Sequence, residues 1–440
     1  MKTKAFLAIF LSLIFIFPQA RIAAADGLVI AHYLLYAQDS ADVLKQEIQL
    51  AQSKGIDAFA LNTNVWRKDR ADAIFQAAQD LGSGFKLFFS ADIHEDSNGK
   101  LSPDDIVAML TYSSSSLLTY NGKQLFTSWL GDDDSYWQKY NYASSVAAWQ
   151  DIFQKAGGKD KFFYVPFFPT DGSYDRVKAR FDIFRNGIDG LHAWDVSAWP
   201  YTANDGFQSP DFSRDQNYLQ ACNDQSKSYM PSVSPWWFKR NDAQCVRGNY
   251  QGPGLWTDKW KKLIEFKTPF LQIVTWNDWV ESHYVGPTTL SRGAADAGVD
   301  YVIGFPHVAF LELGEHYIKW YKTGNEPAVT EDSLYMFYYT QSKNLGAECS
   351  GSANLTDKLY VTAMVTESAT LELTSGGTSQ TFTITDKGIS TWSIDFQQGQ
   401  QAAVLKRGDA VVTTLTGSKQ ITNVYSNFNV YSTCTKCSIE

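Results

Sequence analysis

The stretch TWNDWVESHYVGP, residues 275–287, sets two acids three positions apart, Asp278 and Glu281, among Trp276, Asn277, Trp279, His283 and Tyr284. It follows the apolar run FLQIV and ends in Gly286-Pro287, which stops any helix that starts there. Carboxyl groups at i and i+3 of a helical turn share one face. Such a pair can flank a single bond, one group protonating a departing oxygen and the other activating water or attacking, as glycoside cleavage requires. Asp-x-x-Glu also has the shape of a helix capping box. Gly286 arrives only five residues after Glu281, which leaves little helix to cap. The pair is read as chemical, and one pair can do both jobs.

Other chemistries find less in the chain. A metal site wants grouped histidines and carboxylates. Asp92, His94 and Glu95 come nearest, but adjacent strand residues face opposite ways. Cys434-x-x-Cys437 has no second half-site, and the Gly-x-Ser-x-Gly elbow of serine hydrolases is missing. Neither a catalytic metal nor a cofactor is expected. The net charge of -9 argues against a nucleic-acid or anionic-membrane partner.

The elements that would position Asp278 and Glu281 recur along the chain. Strand-like runs stand at 28–35, 56–64, 86–93, 124–131, 162–169, 189–199, 228–237 and 270–279. Helical patterns lie between many of them. Leu44, Ile48 and Ala51 follow Ser40 and stop at Gly55; Ile74, Ala77, Ala78 and Leu81 stop at Gly82; Ser102-Pro103 opens another. Further patterns fill 173–187 and 254–266, and one with an irregular start at Gly304 and Pro306 follows the last strand. Eight strands alternating with helices predict parallel βαβ units closed into a (β/α)8 TIM barrel. An open doubly wound sheet is disfavoured, because HYLLYAQDS after the first strand contains no glycine. Beyond residue 327 alternating Thr, Ser and Val runs, with turns at Gly376-Gly377 and Gly388, predict a small all-β sandwich-like accessory domain over 328–440. That domain either packs on the barrel or binds carbohydrate.

Barrel sites form where strands end. Those ends carry Tyr33 and Tyr36, Asn62 and Asn64, Asp92 and His94, Trp129 and Asp132, and Asp171. Trp194 with Asp195 and Trp199, Trp236 with Trp237, and finally Asp278 and Glu281 complete the series. Carboxylates, amides and flat aromatics without a basic cluster suit a sugar, whose hydroxyls need fixed partners and whose CH face needs a platform. Phe88, Phe126 and Phe163 are read as core; Trp199, Trp236 and Trp237 divide evenly between platform and packing.

The first 25 residues, with Lys2 and Lys4 before an apolar stretch and Ala23-Ala24-Ala25 after it, have the layout of a secretory signal peptide. Secretion permits disulfides. Cys222–Cys245 and a bond from Cys349 to Cys434 or Cys437 are expected, leaving one thiol over. Asn354-Leu355-Thr356 is a glycosylation acceptor, which fits an extracellular glycoprotein.

AHYLL, GIDAFALN, KLFFSADI, DGLHAWDVSAWP, YMPSVSPWW and above all TWNDWVESHY resemble glycoside hydrolase family 71, the fungal secreted endo-1,3-α-glucanases or mutanases. The likeness runs from residue 28 to about 325 and keeps the family's motif order. It implies a (β/α)8 catalytic barrel over 26–327, an accessory β domain, and inverting cleavage of α-1,3-glucan in cell walls. The family's acidic pair falls on Asp278 and Glu281, with Glu281 taken as general acid and Asp278 as general base. Substrate contacts are expected from Tyr33, Asn62, Asp92, Trp129, Asp195, Trp199, Trp236, Trp237, Trp276, Asn277, His283 and Tyr284. AHYLLYA departs from the family in lacking a glycine-asparagine pair in the first loop. A monomer acting on polysaccharide is expected. The competing readings are a secreted α-glucan-binding protein without turnover, and an α-mannoside hydrolase of the related family 99 type.

Overall fold

The chain alternates strand and helix through its first three-quarters. The computed structural model describes residues 27–35, 39–95, 100–194, 212–241, 244–248, 254–291, 293, 298–346 and 355–438. It opens with β1 (Leu28–Leu34), α1 (Ala41–Ser53), β2 (Ala58–Thr63), α2 (Lys68–Leu81), β3 (Lys86–Asp92), α3 (Pro103–Leu110), β4 (Thr119–Tyr120) and β5 (Lys123–Trp129). Then come α4 (Asp134–Gln138), α5 (Ser145–Lys155), β6 (Phe162–Tyr164), α6 (Tyr174–Phe184), β7 (Gly190–His192) and α7 (Ser213–Asp224). After these follow β8 (Ser228–Met230), β9 (Ser232–Val233), the hairpin β10 (Trp237–Asn241) and β11 (Gln244–Gly248), α8 (Gly254–Phe266), β12 (Phe270–Ile273) and α9 (Val308–Thr323).

Local chemistry sets the helix ends. The Ser40 hydroxyl accepts from the Val43 amide to cap α1, and Ser102 and Asp105 form a reciprocal capping box ahead of Pro103. Gly82 ends α2 in the left-handed conformation, with φ of 58°.

Parallel pairing runs β9–β12–β1–β2–β3–β5–β6. β7 pairs in parallel with β8, and the Asp189 and His192 amides reach back to the carbonyls of Tyr164 and Pro166 beside β6. The result is a mixed α/β fold on a parallel sheet. Alternate positions separate two apolar layers. Ile30, Ala58, Ala60, Phe88, Leu125, Phe163, Val165, Met230 and Phe270 pack together on one face. Val29, Ala31, Tyr33, Phe59, Leu61 and Phe89 pack on the other, against the helices.

Two expected strands are shorter than their sequence patterns. The run 228–237 breaks at Pro231, which has no amide to give a ladder, into β8 and β9. The run 270–279 stops at Ile273, because the chain folds back and the Thr275 amide bonds the His283 carbonyl at 2.7 Å.

The remaining strands are all antiparallel: β13 (Ser333–Tyr338), β14 (Lys358–Val365), β15 (Ala369–Ser375), β16 (Thr378–Ile384), β17 (Gly388–Asp395), β18 (Gln401–Arg407), β19 (Ala410–Thr416) and β20 (Tyr431–Cys434). They form two four-stranded sheets, β17–β14–β13–β20 and β16–β15–β18–β19. Leu334, Met336, Leu359 and Val361 from one sheet share a core with Leu371, Leu373, Ala403 and Leu405 from the other.

The cysteine expectations need correction. Cys434 bonds Cys437 across a turn, their Cα atoms 5.1 Å apart, so neither pairs with Cys349. Cys222 is a free thiol buried on α7, not a partner of Cys245; burial pushes it up to about 12, which keeps it an inert thiol. Cys349, Asn354 and residues 1–26 lie outside the described residues. Among the described residues no helix is long and apolar enough to cross a membrane.

Candidate active site

The loop after β12 closes on itself. The Val285 and Gly286 amides bond the carbonyls of Thr275 and Trp276, at 3.0 and 2.9 Å. Any side chain at Gly286 would strike the Trp276 carbonyl and ring, at 2.8–2.9 Å, so only glycine permits the closure. Within the loop the Asp278 amide donates to Thr275 Oγ1 at 2.8 Å, and Asp278 Oδ1 accepts the Glu281 amide at 2.9 Å. This is half of a capping box, but the Glu281 side chain does not return the bond. Its Oε1 meets Lys239 Nζ and its Oε2 meets His283 Nε2, each at 2.9 Å. Lys239 stands on β10, and the neighbouring Phe238 amide donates to the Glu281 carbonyl at 3.1 Å. The hairpin therefore grips Glu281 twice.

The two acids differ in environment. Asp278 is buried, whereas the Glu281 side chain keeps 29% of its surface. Burial and the nearby Glu281 charge raise Asp278 above the usual carboxylate range, against the pull of His283, the Glu281 amide and Lys239. Burial pushes Glu281 upward too, but the hydrogen bonds and charges of His283 and Lys239 overcome it and hold the group at about 2. The two carboxyl groups are thus pushed in opposite directions. Donor atoms of Asp278, Glu281 and His283 lie within 4.8 Å of one another, a spacing a metal ion can use. Both Glu281 oxygens are already engaged, so a cation entering there would have to displace the Lys239 ammonium.

Beside this pair lies a polar layer that sequence reasoning missed. His32, Thr127, His192 and Gln272 sit two residues beyond Ile30, Leu125, Gly190 and Phe270, on the face that carries the inner apolar cluster. All four are buried. His32 Nδ1 pairs with Gln272 Nε2 at 2.9 Å. The half-buried Trp194 ring stands edge-on to His32 at 4.7 Å and to His283 at 5.8 Å. Burial lowers His192 to about 3 and, with the neighbouring histidines, puts His32 well below 6.5, so both imidazoles are neutral. The alternation that marks Ile30 as inward also marks His32, and that signal was available in the sequence.

The structure gathers some expected residues and disperses others. Asn62, Asp92 and Trp129 follow Ala60, Ser90 and Thr127 on the inward face, and His283 holds Glu281. Tyr33 faces the opposite way: its hydroxyl bonds Glu47 of α1 at 2.7 Å and its ring stacks on Phe59. Trp276 reaches the same Glu47 at 3.3 Å. Asn277 clips both backbone groups of Leu34, at 2.7 and 3.0 Å. Trp236 is buried against Phe310, Phe337, Tyr339 and Tyr360. Tyr284 stacks on His307 at 4.1 Å and bonds the Phe305 carbonyl. The protein contacts of these five hold the loop and its surroundings. Trp237 lies on β10. Asp195 and Trp199 lie outside the described residues.

The chain is a glycoside hydrolase. The model of glycosyl hydrolase family 71 matches residues 25–438, so the chain belongs to that family. The match runs through the C-terminal sheets, well past the motifs that end near residue 325. The glucan endo-1,3-alpha-glucosidase agn1 of Schizosaccharomyces pombe is 27% identical over 426 residues, 93% of this chain and 94% of that protein. The mutanase Pc12g07500 of Penicillium rubens is 24% identical over 432 residues, 93% and 89% of the two chains. Among solved structures, the GH99 endo-alpha-mannosidase from Bacteroides thetaiotaomicron aligns with a TM-score of 0.48 at 12% identity, over 68% of this chain and 98% of that one.

Proposed function

We propose that this protein is a secreted, monomeric, endo-acting hydrolase that cleaves α-1,3-glucosidic bonds in α-1,3-glucan, with Asp278 and Glu281 as its acid and base. The substrate follows from the relatives' names, an endo-1,3-alpha-glucosidase and a mutanase. The observation that carries the mechanism is one carboxyl pair with opposed environments, Asp278 raised and Glu281 held at about 2. That division supports Asp278 as the group that protonates the departing oxygen and Glu281 as the base, the reverse of the roles taken for them from the sequence. We read residues 26–327 as a closed (β/α)8 barrel; the hydrogen bonds from β7 back to the residues at β6 support closure. Residues 328–440 are read as an accessory β-sandwich.

Inversion is the stereochemistry the resemblance implies. Inverting pairs usually stand about 6.5–9.5 Å apart. Oxygens of Asp278 and Glu281 approach within 4.8 Å, so inversion requires Glu281 to swing outward as the sugar and water enter. The short spacing favours a second reading, retention, for which about 5–5.5 Å is usual.

Purified protein on insoluble α-1,3-glucan, with β-1,3-glucan, α-1,4-glucan and α-mannan beside it, tests the substrate through new reducing ends. Early proton spectra of the products test stereochemistry: a β-anomer first means inversion, an α-anomer first retention. Asp278→Asn should lose glucan cleavage yet turn over an α-1,3-linked glucosyl fluoride, whose leaving group needs no acid; Glu281→Gln should lose both. Fluoride turnover by the Glu281 variant alone would restore Glu281 as the acid.

A further inference from the structure

Three buried polar side chains beside the carboxyl pair hold atoms that no group among the described residues satisfies. Among the described residues Thr127 Oγ1, His192 Nε2 and Gln272 Oε1 have no hydrogen-bond partner, and their residues are 1%, 3% and 0% exposed. Native proteins leave few such atoms, because each forfeits the hydrogen bonds it had in water. These three are not scattered. They belong to β5, β7 and β12: Thr127 and Gln272 lie two residues beyond Leu125 and Phe270 of the inner apolar cluster, and His192 pairs in register with Met230 of the same cluster. One end of the Gln272 amide meets His32 Nδ1 at 2.9 Å, and whichever way the amide is turned its other end is left over.

The layer adjoins the reacting groups. From Glu281 the path runs through His283 at 2.9 Å to the Trp194 ring at 5.8 Å, and on to His32 at 4.7 Å and His192 at 6.3 Å. The atoms on offer are a hydroxyl, an imidazole nitrogen and an amide oxygen. All are uncharged, and both imidazoles are neutral. An anionic ligand would want a cation here, and a purely apolar ligand would waste all three groups. A sugar hydroxyl, which both donates and accepts, fits each one.

We infer that Thr127, His192 and Gln272 form the floor of the substrate site and bind the hydroxyls of a neutral pyranose ring lying against Trp194. His32 is a positioning residue that holds the Gln272 amide in register. The assignment rests on the proposed glucan-hydrolase reading and adds the residues that select the ring.

Thr127→Val and His192→Phe in the full-length protein test it. Each swaps a polar group for an apolar one of similar shape, so the melting temperature should hold or rise. On a soluble α-1,3-linked glucan oligosaccharide, kcat/KM should fall about ten- to a hundredfold in each variant. Affinity for the same oligosaccharide, measured in a Glu281→Gln background, should weaken in parallel. A preserved melting temperature with kcat/KM within about twofold of the parent would overturn the inference and leave these atoms to buried water. If His192→Phe fails to fold, Thr127→Val decides alone, since valine matches threonine in shape. A parent protein inactive on α-1,3-glucan would sink the functional reading and this inference together; an active parent with indifferent variants would sink only the inference.

Discussion

After His283, Lys239 is the second group that keeps Glu281 ionised. Its ammonium lies 2.9 Å from Oε1, and with His283 it outweighs the burial that would otherwise neutralise the acid. A base must be ionised to activate water, so under the proposed mechanism the acid limb of the pH–rate profile follows Glu281. Replacing Lys239 by Met removes the cation, moves Glu281 up toward its ordinary 4.5, and should shift that limb to higher pH by about one unit or more. The measurement is kcat/KM against pH on a soluble oligosaccharide; an unmoved limb would mean that Lys239 only anchors its hairpin. The same depression affects stability. A carboxyl lowered on folding stabilises the fold fully above about 4.5, and that contribution disappears as pH falls toward 2. Lys239 itself was not legible in the sequence. It lies 42 residues from Glu281 on a hairpin whose pattern resembles the end of a preceding strand. That Asp278 and Glu281 come together was legible, because their spacing and the Gly286-Pro287 stop are local.

At the scale of elements, helix α1 carries a second buried acid. Glu47 accepts the Tyr33 hydroxyl and the Trp276 indole, linking α1, β1 and the loop that bears Asp278. The sequence showed Leu44, Ile48 and Ala51 as the inward stripe of α1, and all three are buried. Glu47 falls on the same stripe, but its burial depends on Tyr33 and Trp276 turning away from the inner face, which no single-strand pattern reveals. Tyr33 was read as a sugar contact from its place at a strand end; its side chain turns toward α1, where it bonds Glu47. Burial raises Glu47 to about 7, against the lowering pull of the Tyr33 hydrogen bond. The folded protein therefore holds this proton more tightly than the unfolded chain does, whose value is near 4.5. Stability falls as pH rises from about 4.5 to 7 and then levels, with a total loss on the order of 3 kcal/mol. Glu47→Gln never ionises, so its stability relative to the parent should improve by about that amount between pH 4.5 and pH 8. Denaturant unfolding at the two pH values measures this, and a pH-independent difference would refute it.

At the scale of the whole molecule, the β17–β14–β13–β20 sheet and its flanking loops pack into the core of the parallel sheet. Phe337, Tyr339, Phe428 and Val430 pack in the cluster that contains Trp236 and Phe310. Asn429 bonds the Tyr284 hydroxyl and the Tyr301 carbonyl, each at 3.1 Å, and Ser432 bonds the Pro306 carbonyl at 2.7 Å. The composition shift near residue 327 marks a change of strand pattern, and the packing crosses it. The interface also reaches the site, since Trp236 lies three residues before Lys239 and Tyr284 three residues after Glu281. A chain ending at residue 327 would bare Trp236 and Phe310, each worth roughly 1.5–3 kcal/mol of burial, against a total stability of about 5–15 kcal/mol. Such a fragment should be insoluble or inactive, and calorimetry of the full chain should show one cooperative transition. Two resolved transitions, or a soluble fragment 26–327 that cleaves α-1,3-glucan at the parent rate, would establish that the sheets are dispensable. With the single transition, Trp236→Ala should lower the melting temperature and also raise the acid limb of the pH–rate profile, because loosening this contact frees the hairpin that carries Lys239.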